Sequence, residues 1–139
     1  MTFEQLITGM TFKQLLQRIM DSDINIRHSI IADAEGNIIT VNHRAGVTKY
    51  LSEEETAASL KRAASAWKAR KQLNPKIGMG VYALAVFEKI TRITFPLGAN
   101  NLLFVSMGSG KTRTDLHEGG QQQIVEHVLN ILDGDPITE

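Results

Sequence analysis

The sequence predicts one mixed α/β domain of the α+β kind, in which a five-stranded antiparallel sheet carries helices on its faces. Three observations lead to this prediction: two capping boxes that each begin a helix, a turn between apolar runs that is typical of a β-hairpin, and three later apolar runs with short connections. At 139 residues the chain has the length of one domain. The predicted order of elements is α-β-β-α-β-β-β-α.

The first helix is predicted to begin at the capping box formed by Thr11 and Gln14 and to run to about Met20. Apolar residues recur within it at helical spacing, at Phe12, Leu15, Leu16 and Ile19. Residues 1–10 are interpreted as an N-terminal extension, and residues 11–139 as the single domain.

A β-hairpin is predicted from two strands, residues 24–32 and 37–41, on either side of a turn at residues 33–36. A two-residue turn would place His28 opposite His43, whereas a three-residue turn would separate them. The spacing favours the longer turn. A facing histidine pair could bind a metal or relay a proton, but the nearby sequence offers no third ligand, so no metal site is assigned.

A second helix is predicted to begin at the capping box formed by Ser52 and Glu55 and to end near Leu73. On a helical wheel, one narrow polar stripe holds Lys61, Ser65, Lys68 and Gln72. Most other positions are apolar or small, which gives a wider apolar surface than packing on one sheet requires. The many alanines are either helix-favouring residues that face solvent or contacts for a second helix, and we favour the second interpretation.

Three further strands are predicted at residues 78–87, 90–95 and 102–106, as an antiparallel meander. Gly78 and Gly80 would permit close approach by a backbone or by a ligand. The segment KITRITFPL at residues 89–97, followed by NLLFVS, resembles the meander of small archaeal roadblock-like proteins. The order of elements resembles the roadblock/LC7 family over nearly the full length.

The resemblance implies a roadblock/LC7-like sandwich that dimerises through the central helix and the next strand. It also implies a platform for small GTPases or for motor and signalling complexes, without enzymatic activity. We therefore expect a homodimer and assign no catalytic, cofactor-binding or metal-binding residue. The expected interface comprises Leu60, Ala63, Ala64, Trp67, Arg70, Lys71, Gly78, Gly80, Val81, Tyr82, Ala83 and Leu84. The alternative is a small-ligand sensor with a pocket between sheet and helix.

Trp67 shares the apolar arc with Leu60 and Ala64, so we expect its ring to be buried, either under the sheet or between two central helices. The basic residues around it could bind nucleic acid, with the indole stacking on a base. Cations also accumulate at helix C-termini because they complement the dipole, and the net charge is zero. We favour the rim of a protein interface and expect no nucleic-acid partner.

Residues 108–112, GSGKT, follow a strand as a phosphate-binding P-loop would. The first glycine of that motif would have to stand at Val105, and no helical periodicity follows, so we expect no nucleotide to bind there. Residues 107–120 are instead a candidate loop for partner contact. The absence of cysteine fits a reducing compartment, and neither a signal peptide nor a membrane span is evident, which predicts a cytoplasmic protein.

Overall fold

The predicted sheet is present at the centre of the protein in a computed structural model that describes residues 10–108, 121–134 and 137–138. Five antiparallel strands lie in the order β3-β2-β6-β5-β4. The elements are β1 (Met10–Thr11), α1 (Phe12–Ser22), β2 (Ile26–Asp33), β3 (Ile38–His43), α2 (Glu53–Lys71), α3 (Asn74–Ile77), β4 (Ala83–Val86), β5 (Ile90–Leu97), β6 (Asn101–Gly108), α4 (Gln121–Leu132) and β7 (Ile137–Thr138).

The predicted order of elements is confirmed, and three short elements add to it. Strand β1 pairs in parallel with β7, and α3 follows the central helix. Met10, which the sequence analysis placed in the N-terminal extension, is buried in the core beside α1. Pro75 lies in the first turn of α3, where the backbone N–H that proline lacks would have no partner within the helix.

Successive residues of each strand point to opposite faces of the sheet, so the sheet has two separate cores. Helices α1 and α4 cover one face, where Ile31, Ile93 and Phe95 are buried. Helix α2 alone covers the other face. Its core comprises Ile30, Ala32, Leu60, Ala64, Trp67, Leu102 and Phe104.

Both capping boxes form as predicted. The Thr11 hydroxyl accepts from the Gln14 N–H at 3.1 Å, and the Gln14 side chain accepts from the Thr11 N–H at 2.9 Å. Ser52 and Glu55 make the same reciprocal pair, both at 3.0 Å. These four bonds satisfy N–H groups that have no partner inside the helices, which explains why the helix starts could be read from the sequence.

The hairpin has the predicted longer turn, but the expected separation of its histidines is wrong. The Asp33 N–H donates to the Asn37 carbonyl at 2.9 Å, and Gly36 has a φ of 88°. A bulge on β3 then shifts the register by one residue. Ala32 pairs with Ile38, but Ile31 pairs with Thr40, so Ile39 is the extra residue on β3. His28 therefore lies directly opposite His43.

The strand predicted at residues 78–87 is shorter than expected, since only Ala83–Val86 pair with β5. The preceding segment leaves the sheet and passes over the indole of Trp67. A Cβ atom at Gly80 would lie 2.4 Å from Trp67 Cζ3, so only glycine fits there. Gly78 has a φ of 89°, which glycine adopts readily.

The expected burial of Trp67 is confirmed, and the ring lies between α2 and the sheet of its own chain. Its side chain is 4% exposed, and its Nε1–H donates to Thr94 Oγ1 at 2.8 Å. The Arg70 guanidinium lies 5.0 Å from the ring centroid. The indole thus joins α2, β5 and the segment that contains Gly80.

We predict that Trp67→Ala lowers the free energy of unfolding by about 3–5 kcal/mol, because the substitution removes a buried aromatic ring and leaves a cavity. Chemical denaturation followed by circular dichroism would measure the loss. Ser65→Ala, at an exposed position of α2, is the control and should change stability by less than about 0.5 kcal/mol. The single tryptophan should emit at blue-shifted wavelengths in the folded protein. Equal midpoints for the two variants would contradict the prediction.

Candidate protein interface

The expected interface residues divide into two groups in the structure. Leu60, Ala64 and Trp67 are buried against the sheet of their own chain, where another molecule cannot reach them. The remaining residues are exposed or half-buried and lie along one side of α2, the segment after it and β4. This set comprises Ala63, Arg70, Lys71, Gly78, Gly80, Val81, Tyr82, Ala83 and Leu84.

A shallow groove runs between α2 and β4. Its volume is about 270 Å³, and alanines contribute to both of its walls among larger side chains such as Arg70 and Phe87. Ala63 and Ala66 contribute the wall from the helix, while Ala83 and Ala85 contribute the wall from the strand. Small residues let a second backbone approach closely, so this groove fits the predicted role of the alanines as contacts.

Strand β4 is an edge strand with one unpaired side. The Phe87 N–H donates to the Ile90 carbonyl at 2.8 Å, which fixes the alternation of hydrogen bonds between β4 and β5. By this alternation the N–H groups of Leu84 and Val86 point away from β5. An unpaired row of this kind is a template for another strand.

Exposed apolar side chains concentrate at the same edge. Between residues 73 and 87, eight large apolar residues are 38% to 78% exposed: Leu73, Ile77, Met79, Val81, Tyr82, Leu84, Val86 and Phe87. A concentration of exposed apolar residues of this kind is typical of an interaction site. We call these residues the edge patch.

The sequence analysis named three members of the edge patch as interface residues and did not name the other five. Ile77 and Met79, the most exposed of the five, alternate with Gly78 and Gly80. Large apolar residues interspersed with these two glycines were the available signal in the sequence.

Several basic side chains near Trp67 contact other residues of their own chain. Lys68 Nζ lies 2.5 Å from the Glu35 carboxylate, in an exposed ion pair. Lys71 Nζ donates to the Ala99 carbonyl at 2.8 Å, and Arg70 lies over the Trp67 ring. The Lys68 and Lys71 contacts join the C-terminal half of α2 to two turns of the sheet, at Glu35 and Ala99.

The histidine pair lies beyond the N-terminal end of α2, on the same face of the sheet. The ring centroids of His28 and His43 are 5.6 Å apart. Burial, together with the nearby His43, Arg92 and Arg27, lowers the pKa of His28 to about 4. Within the described ranges, no three His, Cys, Asp or Glu side chains group closely enough to hold a metal ion.

The structure describes the candidate loop at residues 107–120 only in part. Met107 and Gly108 belong to β6, but residues 109–120, with most of the GSGKT run, lie outside the described residues.

Among the residues that are described, every helix is too short or too polar to cross a membrane.

The fold is that of roadblock/LC7 domains, which confirms the predicted resemblance at the level of structure. The chain is similar to the gliding protein MglB from Thermus thermophilus, with 13% identity, 87% of each chain covered and a TM-score of 0.58. A structure of MglB in a tetrameric arrangement gives the same identity and coverage and a TM-score of 0.59.

A roadblock/LC7 domain from Streptomyces avermitilis is 12% identical, over 85% of this chain and 94% of that one, with a TM-score of 0.54. No family model matches the chain. No curated protein matches its sequence. The similarity therefore extends to the fold and not to individual residues.

We predict that acid destabilises the protein through His28. Its pKa is lowered from 6.5 to about 4 on folding, so the stabilisation from the neutral ring is complete above pH 6.5 and is lost progressively as the pH falls from 6.5 to about 4. The loss between pH 7.5 and pH 4 is about 3 kcal/mol. Denaturation midpoints across that range would show it, and His28→Gln should remove this component. His127→Gln, on α4 across the sheet, is the control and should retain it.

Proposed function

We propose that the chain is a non-catalytic protein-interaction module that forms a homodimer through β4 and the adjoining side of α2. The edge patch carries this proposal, because eight large apolar side chains beside an unpaired strand edge are unfavourable in water. Pairing of two β4 strands would satisfy the outward N–H groups and cover much of the patch.

A two-fold axis is the simplest symmetry for such a dimer, because one surface then meets its own copy. Antiparallel pairing of the two β4 edges places both α2 helices on the same face of the joined sheet. Ala63 and Ala66 face the groove beside β4, where a neighbouring helix can approach closely. Arg70 and Lys71 then lie toward the rim, where charged side chains remain in contact with water.

The alternative function, a small-ligand sensor, requires a pocket between the sheet and its helix. Directly beneath α2, that space is filled by Trp67, Leu60 and Phe104. This packing leaves no room for a ligand beneath the middle of α2, and it favours the interaction module as the main function.

We predict that the protein has about twice its chain mass of 15.4 kDa in light scattering at micromolar concentration. Leu84→Lys should reduce that mass to the monomer value, because a lysine on an edge strand opposes strand pairing. Ile38→Lys is a matched control, since Ile38 is comparably exposed and lies on the opposite edge strand, β3. A monomeric unmodified protein would contradict the dimer, and equal effects of the two substitutions would contradict its location.

The proposed dimer would serve as a platform for another protein, for which the roadblock/LC7 resemblance suggests a small GTPase. The tetrameric arrangement of one similar MglB structure supports self-association within this fold. We further propose that the protein works in the cytoplasm.

We predict that immobilised protein retains a small GTPase from extracts of the native cell in a manner that depends on the bound nucleotide. Parallel captures with GDP and with a non-hydrolysable GTP analogue, analysed by mass spectrometry, would measure this dependence. The Leu84→Lys variant should retain less of the GTPase if the dimer forms the platform, and Ile38→Lys should retain a normal amount. Capture of no GTPase in either nucleotide state would contradict this part of the proposal.

A further inference from the structure

A row of polar residues crosses four strands on the α2 face of the sheet. His43 pairs with His28, His28 pairs with Ser106, and Ser106 pairs with Arg92. The strands are about 4.8 Å apart, so the row brings residues from four distant parts of the sequence within about 14 Å. The neighbouring row on the same face includes Ile30 and Phe104, which belong to the core.

The polar row forms the floor of a small cavity. Residues 47–51 and Thr56 of α2 complete its lining. Its volume is about 70 Å³. A water molecule takes up roughly 30 Å³ of liquid, so the cavity has room for two waters or for one small tetrahedral ion.

The charges around the cavity are of one sign. Arg27, Lys49 and Arg92 line it together with both histidines, and the lining contains no carboxylate. Two acids, Glu55 and Glu88, line the neighbouring cleft instead, and the Glu55 carboxylate accepts the N–H of its own N-cap residue, Ser52.

Arg92 is the central cation of this arrangement. Its guanidinium donates to the hydroxyl of Ser59 on α2, which accepts without supplying a negative charge. Burial, and secondarily the charge of Arg62, lowers the pKa of Arg92. A partly buried guanidinium among other cations is stabilised by an anion.

Ser106 supplies an independent observation. It is 2% exposed, and its Oγ has no hydrogen-bond partner in the structure. It lies between His28 and Arg92 in the row and lines the cavity. A buried hydroxyl without a partner is unfavourable, and an oxyanion in the cavity would accept its hydrogen bond.

We propose that the cavity binds a small tetrahedral oxyanion, either inorganic phosphate or the phosphoryl group of a small phosphomonoester, with Arg92 and Ser106 as hydrogen-bond donors. No residue of the edge patch lines the cavity itself, although Phe87 of that patch lines the larger cleft beside it. The inference goes beyond the proposed dimerisation. A cleft of about 680 Å³ adjoins the cavity and shares Tyr50, Leu51, Ile90 and Arg92 with it. That cleft can hold the organic part of a phosphomonoester.

Isothermal titration with inorganic phosphate and with glycerol 3-phosphate, each against chloride at equal ionic strength, tests the site. Ser106→Ala should weaken binding roughly tenfold and Arg92→Gln roughly a hundredfold, since each removes a hydrogen bond to a charged ligand. Because the Ser106 hydroxyl has no partner in the unliganded protein, Ser106→Ala should not lower the unfolding midpoint.

Ser29→Ala is the matched control. Ser29 is 0% exposed, and its Oγ also has no partner, but it lies on β2 between His28 and Ile30 and so faces the opposite side of the sheet. Affinity should be unchanged in this variant. Tighter binding of glycerol 3-phosphate supports an organic phosphate, and tighter binding of inorganic phosphate supports the free ion. No binding beyond that of chloride, or equal affinities of the two serine variants, would overturn the proposal.

Discussion

A single helix is about 10 Å wide, whereas five strands spaced by about 4.8 Å form a sheet nearly 20 Å across. Helices α1 and α4 share one face, but α2 covers the other face alone. The parts of that face that α2 leaves open contain the distinctive features of the molecule. On one side lies the groove beside β4, and beyond the N-terminal end of the helix lies the polar row.

Trp67 holds α2 in this position. Its ring contacts Thr94 of the sheet, Arg70 of the same helix, and Gly80 in the segment between α3 and β4. The segment that follows α3 passes over the indole at Gly80 and pairs with the sheet only from Ala83 onward. Met79 and Val81, on either side of Gly80, are exposed.

Local features of the fold were predictable from the sequence, and features that depend on distant pairing were not. The capping boxes at Thr11 and Ser52 involve residues three positions apart, so their helix starts were evident. The bulge that brings His28 opposite His43 depends on how β3 packs beside β2. The polar row was missed because Arg92 and Ser106 become neighbours of His28 only when the sheet forms.

The two edges of the sheet are not equivalent, and the bulge near Ile39 is one difference between them. An irregular edge is a poor template for strand addition, whereas the β4 edge is regular along its pairing with β5. A sheet that could add strands at both sides would grow into a filament. In the proposed dimer both β4 edges are paired and only the irregular β3 edges stay free, so the irregularity that aligns the histidines would also oppose polymerisation.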